Sequence, residues 1–353
     1  MKMKTLGAAV LASSFALPAF AADTITFDAD GTGTETGDQI IGALDWSAGS
    51  TMSDDSIPTA EGGTFDTYSH GSLGGVLDAD GDGIGTDGLK SDYEITFISG
   101  FTETITSQTS VTTVSDGADG EEGGGDDVYT IKTTIQLSDA AVADQNVNFF
   151  QVYYDDLTDG SGLKSSSLEG TGFGDGVLIL DATVGAVSGN FTSTLQFVDL
   201  DDSGDFSFGD TLVTVALDDS SNGDNWSGQQ TLPGEGATAL QADVFYQDVN
   251  FFKDDISSLV ADLFFNTSNV LPFGETNPSR LFDVGDGAGA TLAPTLGDVN
   301  GLTGPDILFQ TDANNSFVKT VTVPEPGSMF LLGMGLLTLG MARRRRTGDS
   351  VQA

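Results

Sequence analysis

Apolar, β-branched and aromatic residues alternate with polar ones along most of this chain, and helical periodicity is scarce. The alternation predicts strands at Thr24–Phe27, Tyr93–Ile98, Thr102–Val114, Val128–Leu137, Val147–Tyr154, Val177–Leu180, Phe191–Val198, Thr211–Leu217 and Leu240–Tyr246. Thr102–Val114 and Thr130–Ile135 read as two arms of a hairpin, joined by the acidic, glycine-rich segment 116–127. One helix is expected, over Asp255–Phe265, with Asp254 or Asp255 as N-cap and Leu259, Leu263 and Phe264 as its apolar face. Many strands separated by turn signals, with no alternating helices, predict an all-β fold: an antiparallel β-sandwich of jelly-roll type with long acidic loops.

The two ends follow a different pattern. Lys2 and Lys4 precede an apolar run from Thr5 to Phe20, and Ala19-Phe20-Ala21 is a small-x-small cleavage signal, so residues 1–22 read as a signal peptide removed by signal peptidase. At the other end Pro324-Glu325-Pro326 precedes an apolar run from Ser328 to Ala342, and Arg343, Arg344, Arg345 and Arg346 follow directly. As a helix that run is about 22 Å long, short of the roughly 30 Å hydrocarbon core of a bilayer, and therefore a marginal anchor. The arginines hold their end on the cytoplasmic side and leave the rest of the chain outside. This arrangement resembles the PEP-CTERM sorting tail of Gram-negative bacteria that make exopolysaccharide. The resemblance implies transient anchoring in the inner membrane through the C-terminal helix, processing by exosortase, and delivery to the cell surface or beyond. Residues 23–322 then form a single extracellular β domain, and 323–353 the sorting tail.

Charge sharpens the picture. The chain carries 53 Asp and Glu against 12 Lys and Arg, a formal net charge of −41. Six of the basic residues lie in the two ends, which leaves six for the working domain. Such a surface repels nucleic acid phosphates and anionic headgroups, and favours divalent cations. Cysteine is absent, which excludes disulfides, thiolate metal sites and a cysteine nucleophile.

The sharpest local motif runs from Asp199 to Asp210. It places carboxylates at Asp199 and Asp201, a hydroxyl at Ser203, a glycine at the sixth position, a backbone carbonyl at Asp205 and a carboxylate at Asp210, the spacing of an EF-hand or dockerin-type calcium loop. Alternate residues of a tight turn can supply the converging oxygens that a hard cation needs. Asp78, Asp80 and Asp82 open a second loop in the same way, but Leu89 stands where the twelfth ligand belongs, with Asp87 or Asp92 as the available substitute. Calcium is therefore the expected cofactor. No catalytic residues are expected. The single histidine, His70, reads as a loop residue, and paired carboxylates of the glycosidase type cannot be singled out in so acidic a chain. Tyr153, Tyr154, Trp46 and Trp226 are candidates for stacking on sugar rings in a lectin-like site.

The working domain also resembles the flocculation-associated PEP-CTERM proteins. The shared stretches are Leu44 to Gly49, Asn148-Phe149-Phe150 with Tyr153-Tyr154, Gly170 to Gly176, Pro272-Phe273 with Asn277 to Ser279, Gly297 to Gly301, and Gly304 to Asn314. The resemblance implies a non-enzymatic surface or matrix protein that helps cells aggregate within exopolysaccharide, and it carries over no catalytic residues.

Overall fold

A computed structural model describes residues 23–33, 37–54, 61–115, 126–139, 147–158, 164–165, 172–200, 211–212, 234–266 and 307–320. The chain divides into residues 1–319 and 320–353, and the described structure belongs almost wholly to the first unit.

Strands β1 (Ile25–Asp28) and β2 (Asp38–Ile41) form a small antiparallel hairpin. The main sheet is built from β3 (Ala43–Asp54), β4 (Thr64–Leu77), β5 (Gly83–Ile84), β6 (Tyr93–Ser115), β7 (Val128–Asp139), β8 (Phe149–Asp156), β9 (Val177–Val198), β10 (Thr211–Leu212), β11 (Gly234–Gln247), β12 (Ile256–Asn266) and β13 (Ile307–Lys319). All its strand pairings are antiparallel, and β3, β4, β6, β7, β9, β11, β12 and β13 neighbour one another in chain order. The last strand returns to the first: β13 pairs with β3, Phe309 opposite Thr51 and Ala313 opposite Trp46. The sheet is thus closed on itself as an up-and-down barrel, while the end of β6 beyond Thr104 runs past β4 and pairs with β7 alone among the described strands. β7 and β8 lie end to end in one slot between β6 and β9: β8 pairs with Tyr93 to Gly100, and β7 with Glu103 to Ser115.

This corrects the expected jelly roll. A jelly roll interleaves strands through Greek-key connections, whereas here each stave pairs with its neighbours in sequence. The expected helix is also overturned. Its residues form β12, with Leu259, Ala261, Leu263 and Phe265 all buried while Phe264 is 44% exposed. Those four inward positions alternate with outward ones, and that period of two outweighs the apolar spacing read as helical. Other predicted strands lengthen or fuse. Tyr93–Ile98 and Thr102–Val114 become the single 23-residue β6, and Val177–Leu180 and Phe191–Val198 become β9. The predicted hairpin holds, with Thr113 opposite Thr130 and Gln108 opposite Ile135. Of Thr211–Leu217 only the first two residues lie within the described structure.

The lumen is filled. Trp46, Leu73, Phe97, Phe101, Ile105, Leu240, Leu259, Leu263 and Phe317 are at most 1% exposed, and each such side chain contributes roughly 1.5–3 kcal/mol by leaving water. The outward rows carry polar residues such as Asp262, Asp312 and Asn314, with Asp262 directly opposite Asn314. That polarity is the inverse of a membrane barrel, whose outer band is apolar. One mouth is covered by the β1–β2 hairpin: Phe27 packs on Phe252 at 5.1 Å between ring centres, Phe252 packs on Phe317 at 5.9 Å, and Asp23 donates its N–H to the Phe317 carbonyl.

Candidate functional site

Two polar constellations stand out against this apolar frame, one inside the lumen and one beside the β1–β2 hairpin.

Inside, Glu103 on β6 is 2% exposed. Thr67 on the adjacent β4 donates its hydroxyl to Oε2 at 2.7 Å, and Thr238 on β11 donates to Oε1 at 3.1 Å from across the lumen. Gly189 on β9 makes room for that reach, since a Cβ there would collide with the Thr238 hydroxyl. Burial lifts the Glu103 carboxyl from 4.5 to about 7, and the two hydroxyls only partly offset it. Near it the hydroxyls of Thr51, Ser69 and Thr311 tie β3, β4 and β13 together. Phe65, Phe191, Phe265 and Phe309 complete the wall of a cavity of about 20 Å³, room for about one water molecule.

Beside the hairpin, Asp28, Asp30, Asp38, Gln39, Asp87 and Tyr93 line an open cleft of about 400 Å³. Asp28 and Asp38 stand directly opposite one another across β1 and β2, a like-charge pairing that destabilises a ladder. Asp28 is fully buried. The N–H of Gly33 donates to its Oδ2 at 2.9 Å, and Lys253 Nζ lies 3.5 Å from that same oxygen. Gly33 holds φ at 71°, a left-handed geometry that favours glycine. No N–H or O–H donor reaches Asp28 Oδ1, Asp38 Oδ1 or Gln39 Oε1. Gln39 spends its Nε2 on the Gly85 carbonyl at 2.7 Å, which fixes the amide against the 83–93 segment. Burial, and next the neighbouring Asp30 carboxyl, raise the Asp28 carboxyl. Asp30 is also pushed up by burial, but the Thr32 N–H and Asp28 bring it below the usual range. Burial and the Asp30 charge push the Tyr93 phenol up.

The sequence-predicted loops fare differently. Asp78 Oδ1 accepts the N–H groups of Asp80 and Asp82, both at 2.9 Å, and the Asp78 N–H donates to the Asp82 carbonyl. That carboxylate oxygen is committed to closing its own turn. Of the Asp199–Asp210 motif, Asp199 directly follows β9 and is buried, its N–H donating to the Asp127 carbonyl at 3.3 Å. Asp201, Ser203, Asp205 and Asp210 lie outside the described residues, as do Ala19, Ala21, Pro324, Glu325, Pro326, Arg343, Arg344, Arg345 and Arg346. Among the described residues no group of three or more carboxylates or histidines is placed to hold one metal ion by itself, and no helix is long and apolar enough to cross a membrane. Apart from Asp87, the hairpin cleft escaped the sequence reading, yet a signal was there. Asp28-Ala-Asp30-Gly-Thr32-Gly33 repeats the opening of Asp78-Ala-Asp80-Gly-Asp82-Gly83.

Two further expectations are corrected. His70 belongs to β4 and not to a loop. It is fully buried, its ring stacks on Phe173 at 3.9 Å, and burial drives it down to about 3. Sugar stacking by Trp46 and Tyr154 is also excluded. Trp46 is 1% exposed and donates its indole N–H to Asn315 Oδ1 at 2.8 Å, while Tyr154 packs between Tyr93 and Phe251. Tyr153 is half-buried with its hydroxyl donating to Gln151, and Trp226 lies outside the described residues.

Comparison with known proteins places one segment. Residues 322–346 match the PEP-CTERM protein-sorting motif. No curated protein matches the chain. No solved structure matches it either. The sorting motif marks a protein exported to the surface of a Gram-negative bacterium and processed by exosortase.

Proposed function

We infer that this PEP-CTERM protein is a non-enzymatic surface or matrix protein that promotes cell aggregation in association with exopolysaccharide. The observation that carries the reading is the sorting motif at 322–346 on a chain of net charge −41. A protein so rich in carboxylate repels anionic polysaccharide unless a divalent cation lies between them, and extracellular calcium supplies that bridge. Signal peptidase trims residues 1–22, the C-terminal helix holds the chain in the inner membrane, and exosortase then releases it from the arginine side.

The closed sheet supports this reading in one respect. With side chains filling the lumen, the described barrel presents its outer surface, its loops and its rims as the places where a glycan or a neighbouring copy can bind.

The test is deletion of the gene, followed by scoring of floc formation with added calcium and with chelator. Loss of calcium-dependent aggregation is expected, restored by the intact gene and not by one in which Pro324, Glu325 and Pro326 are alanine. A deletion strain that aggregates like its parent under both conditions refutes the reading. Mass spectrometry of the surface protein is expected to find it shortened within the 322–346 segment.

A further inference from the structure

We propose that the cleft between the β1–β2 hairpin and the 83–93 segment is a divalent-cation site of calcium type, bound by the Asp28 and Asp38 carboxylates and the Gln39 amide oxygen, with Asp30 and Asp87 completing its charge. The site uses none of Asp78, Asp80 and Asp82 and nothing of Asp199 to Asp210, sharing only Asp87 with the second loop expected from sequence, and it does not depend on the aggregation reading.

Three independent observations converge on it. The first is the set of orphaned acceptors. Asp28 Oδ1, Asp38 Oδ1 and Gln39 Oε1 are buried, receive no donor, and belong to residues lining the same cleft. A buried acceptor left without a donor costs about 1–3 kcal/mol, and more when charged, so three beside one opening call for a shared electropositive partner. The second is register. Asp28 faces Asp38 directly in the β1–β2 ladder, where like charges repel. The third is charge balance. Asp28, Asp30, Asp38 and Asp87 line the cleft, and among the described residues the cation at its edge is Lys253, 3.5 Å from Asp28 Oδ2 and 3.9 Å from Asp38 Oδ1. Lys253 Nζ also donates to the Asn250 carbonyl at 2.7 Å, which draws it to the Oδ2 side of Asp28.

The donor set is all oxygen, which selects a hard cation over zinc or copper. The cleft is far larger than a bare ion, so several waters remain in the coordination shell, and the many-oxygen, adaptable shell suits calcium better than the rigid octahedron of magnesium. The expected affinity lies in the range of about 10⁻⁴–10⁻³ M found for extracellular calcium modules.

Tyr93 in the lining provides a local reporter, because a terbium ion bound in the cleft is excited by energy transfer from a nearby phenol. The experiment titrates terbium into the purified full chain, reads tyrosine-sensitised emission, and then displaces the ion with calcium. Saturable emission that calcium reverses is expected. Asp38→Asn is expected to weaken both steps about tenfold or more, since affinity follows ligand charge. Asp87→Asn is a second, loop-borne variant should the first misfold, and it too is expected to weaken binding. Tyr93→Phe should remove most of the emission while calcium still raises the unfolding temperature. Asp78→Asn should leave the sensitised signal unchanged. Absent emission at millimolar terbium, emission undiminished by Tyr93→Phe, or equal affinity in the folded Asp38→Asn and Asp87→Asn proteins would each overturn the proposal.

Discussion

The Thr238 hydroxyl reaches Glu103 Oε1 at 3.1 Å from the opposite wall of the barrel, joining β11 to β6 through the lumen. Strand pairing alone leaves these residues three staves apart. Closure of the sheet brings them together, and with them a buried acid lifted to about 7.

The pH dependence of stability follows from Glu103 and His70 jointly. Glu103 moves from 4.5 to about 7, so between those values the folded protein holds a proton that the unfolded chain has lost, and this group lowers stability as pH rises. His70 moves from 6.5 to about 3, so there the unfolded chain holds the extra proton, and this group lowers stability as pH falls. From about 4.5 to 6.5 the two slopes oppose and cancel. Glu103→Gln is expected to expose the histidine slope, a gain relative to the parent of about 1.4 kcal/mol per pH unit with rising pH. Denaturant titrations of both proteins at pH 4.5, 5.5 and 6.5 check it; parallel profiles would refute it.

Phe173→Ala uncovers the His70 ring, which now lies 3.9 Å beneath it. Water then reaches the imidazole, and its pKa is expected to climb from about 3 back toward 6.5. An NMR titration of the single histidine reads this directly. A ring that still fails to titrate above pH 4 would mean that the barrel wall itself excludes the proton.

Gly189→Ala places a methyl group against the Thr238 hydroxyl. A destabilisation of about 1–3 kcal/mol is expected, as for other overpacked interiors. The double variant with Thr238→Ala should recover part of that loss, because the tightest contact, with the hydroxyl, is removed while the Ala237 carbonyl still crowds the methyl and Glu103 keeps Thr67. Thermal unfolding of the single and double variants measures the coupling.

Trp46→Phe leaves the buried Asn315 oxygen without its donor and opens space on the lumen side of β3. A loss of about 2–4 kcal/mol is expected from the two effects together. The parent should show a blue-shifted tryptophan emission component that disappears in the variant.

Much of the strand content was legible because alternation writes itself into sequence wherever one face is buried and the other is wet. It failed at β12. There Leu259, Leu263 and Phe264 satisfy a helical stripe as well as a strand, and only pairing with β11 and β13 breaks the tie. It also failed at β3, β4 and β13, where Ser50, Thr51, Ser69, Thr311 and Asn315 are polar and yet buried. Of these, Thr51, Ser69, Thr311 and Asn315 meet partners on other staves, as in the Thr51 contacts with Ser69 and Thr311, and no local window contains both members of such a pair. Of the candidate sites, Asp78 kept its loop but turned its oxygen inward to Asp80 and Asp82. Asp28, with the same local pattern, left one oxygen facing a cleft.

By itself the sequence determined that the protein is rich in strands, strongly anionic, free of cysteine and marked for export by its C-terminal motif, because composition, alternation and short sorting signals are all local properties. Tertiary structure alone decided that the sheet closes into a barrel, that Glu103 and His70 are sealed from water, and that Asp28, Asp38 and Gln39 share an opening with Asp87. Each of these depends on which distant residues meet, and that is set by the cooperative closure of β13 on β3, more than two hundred and fifty residues apart in the chain.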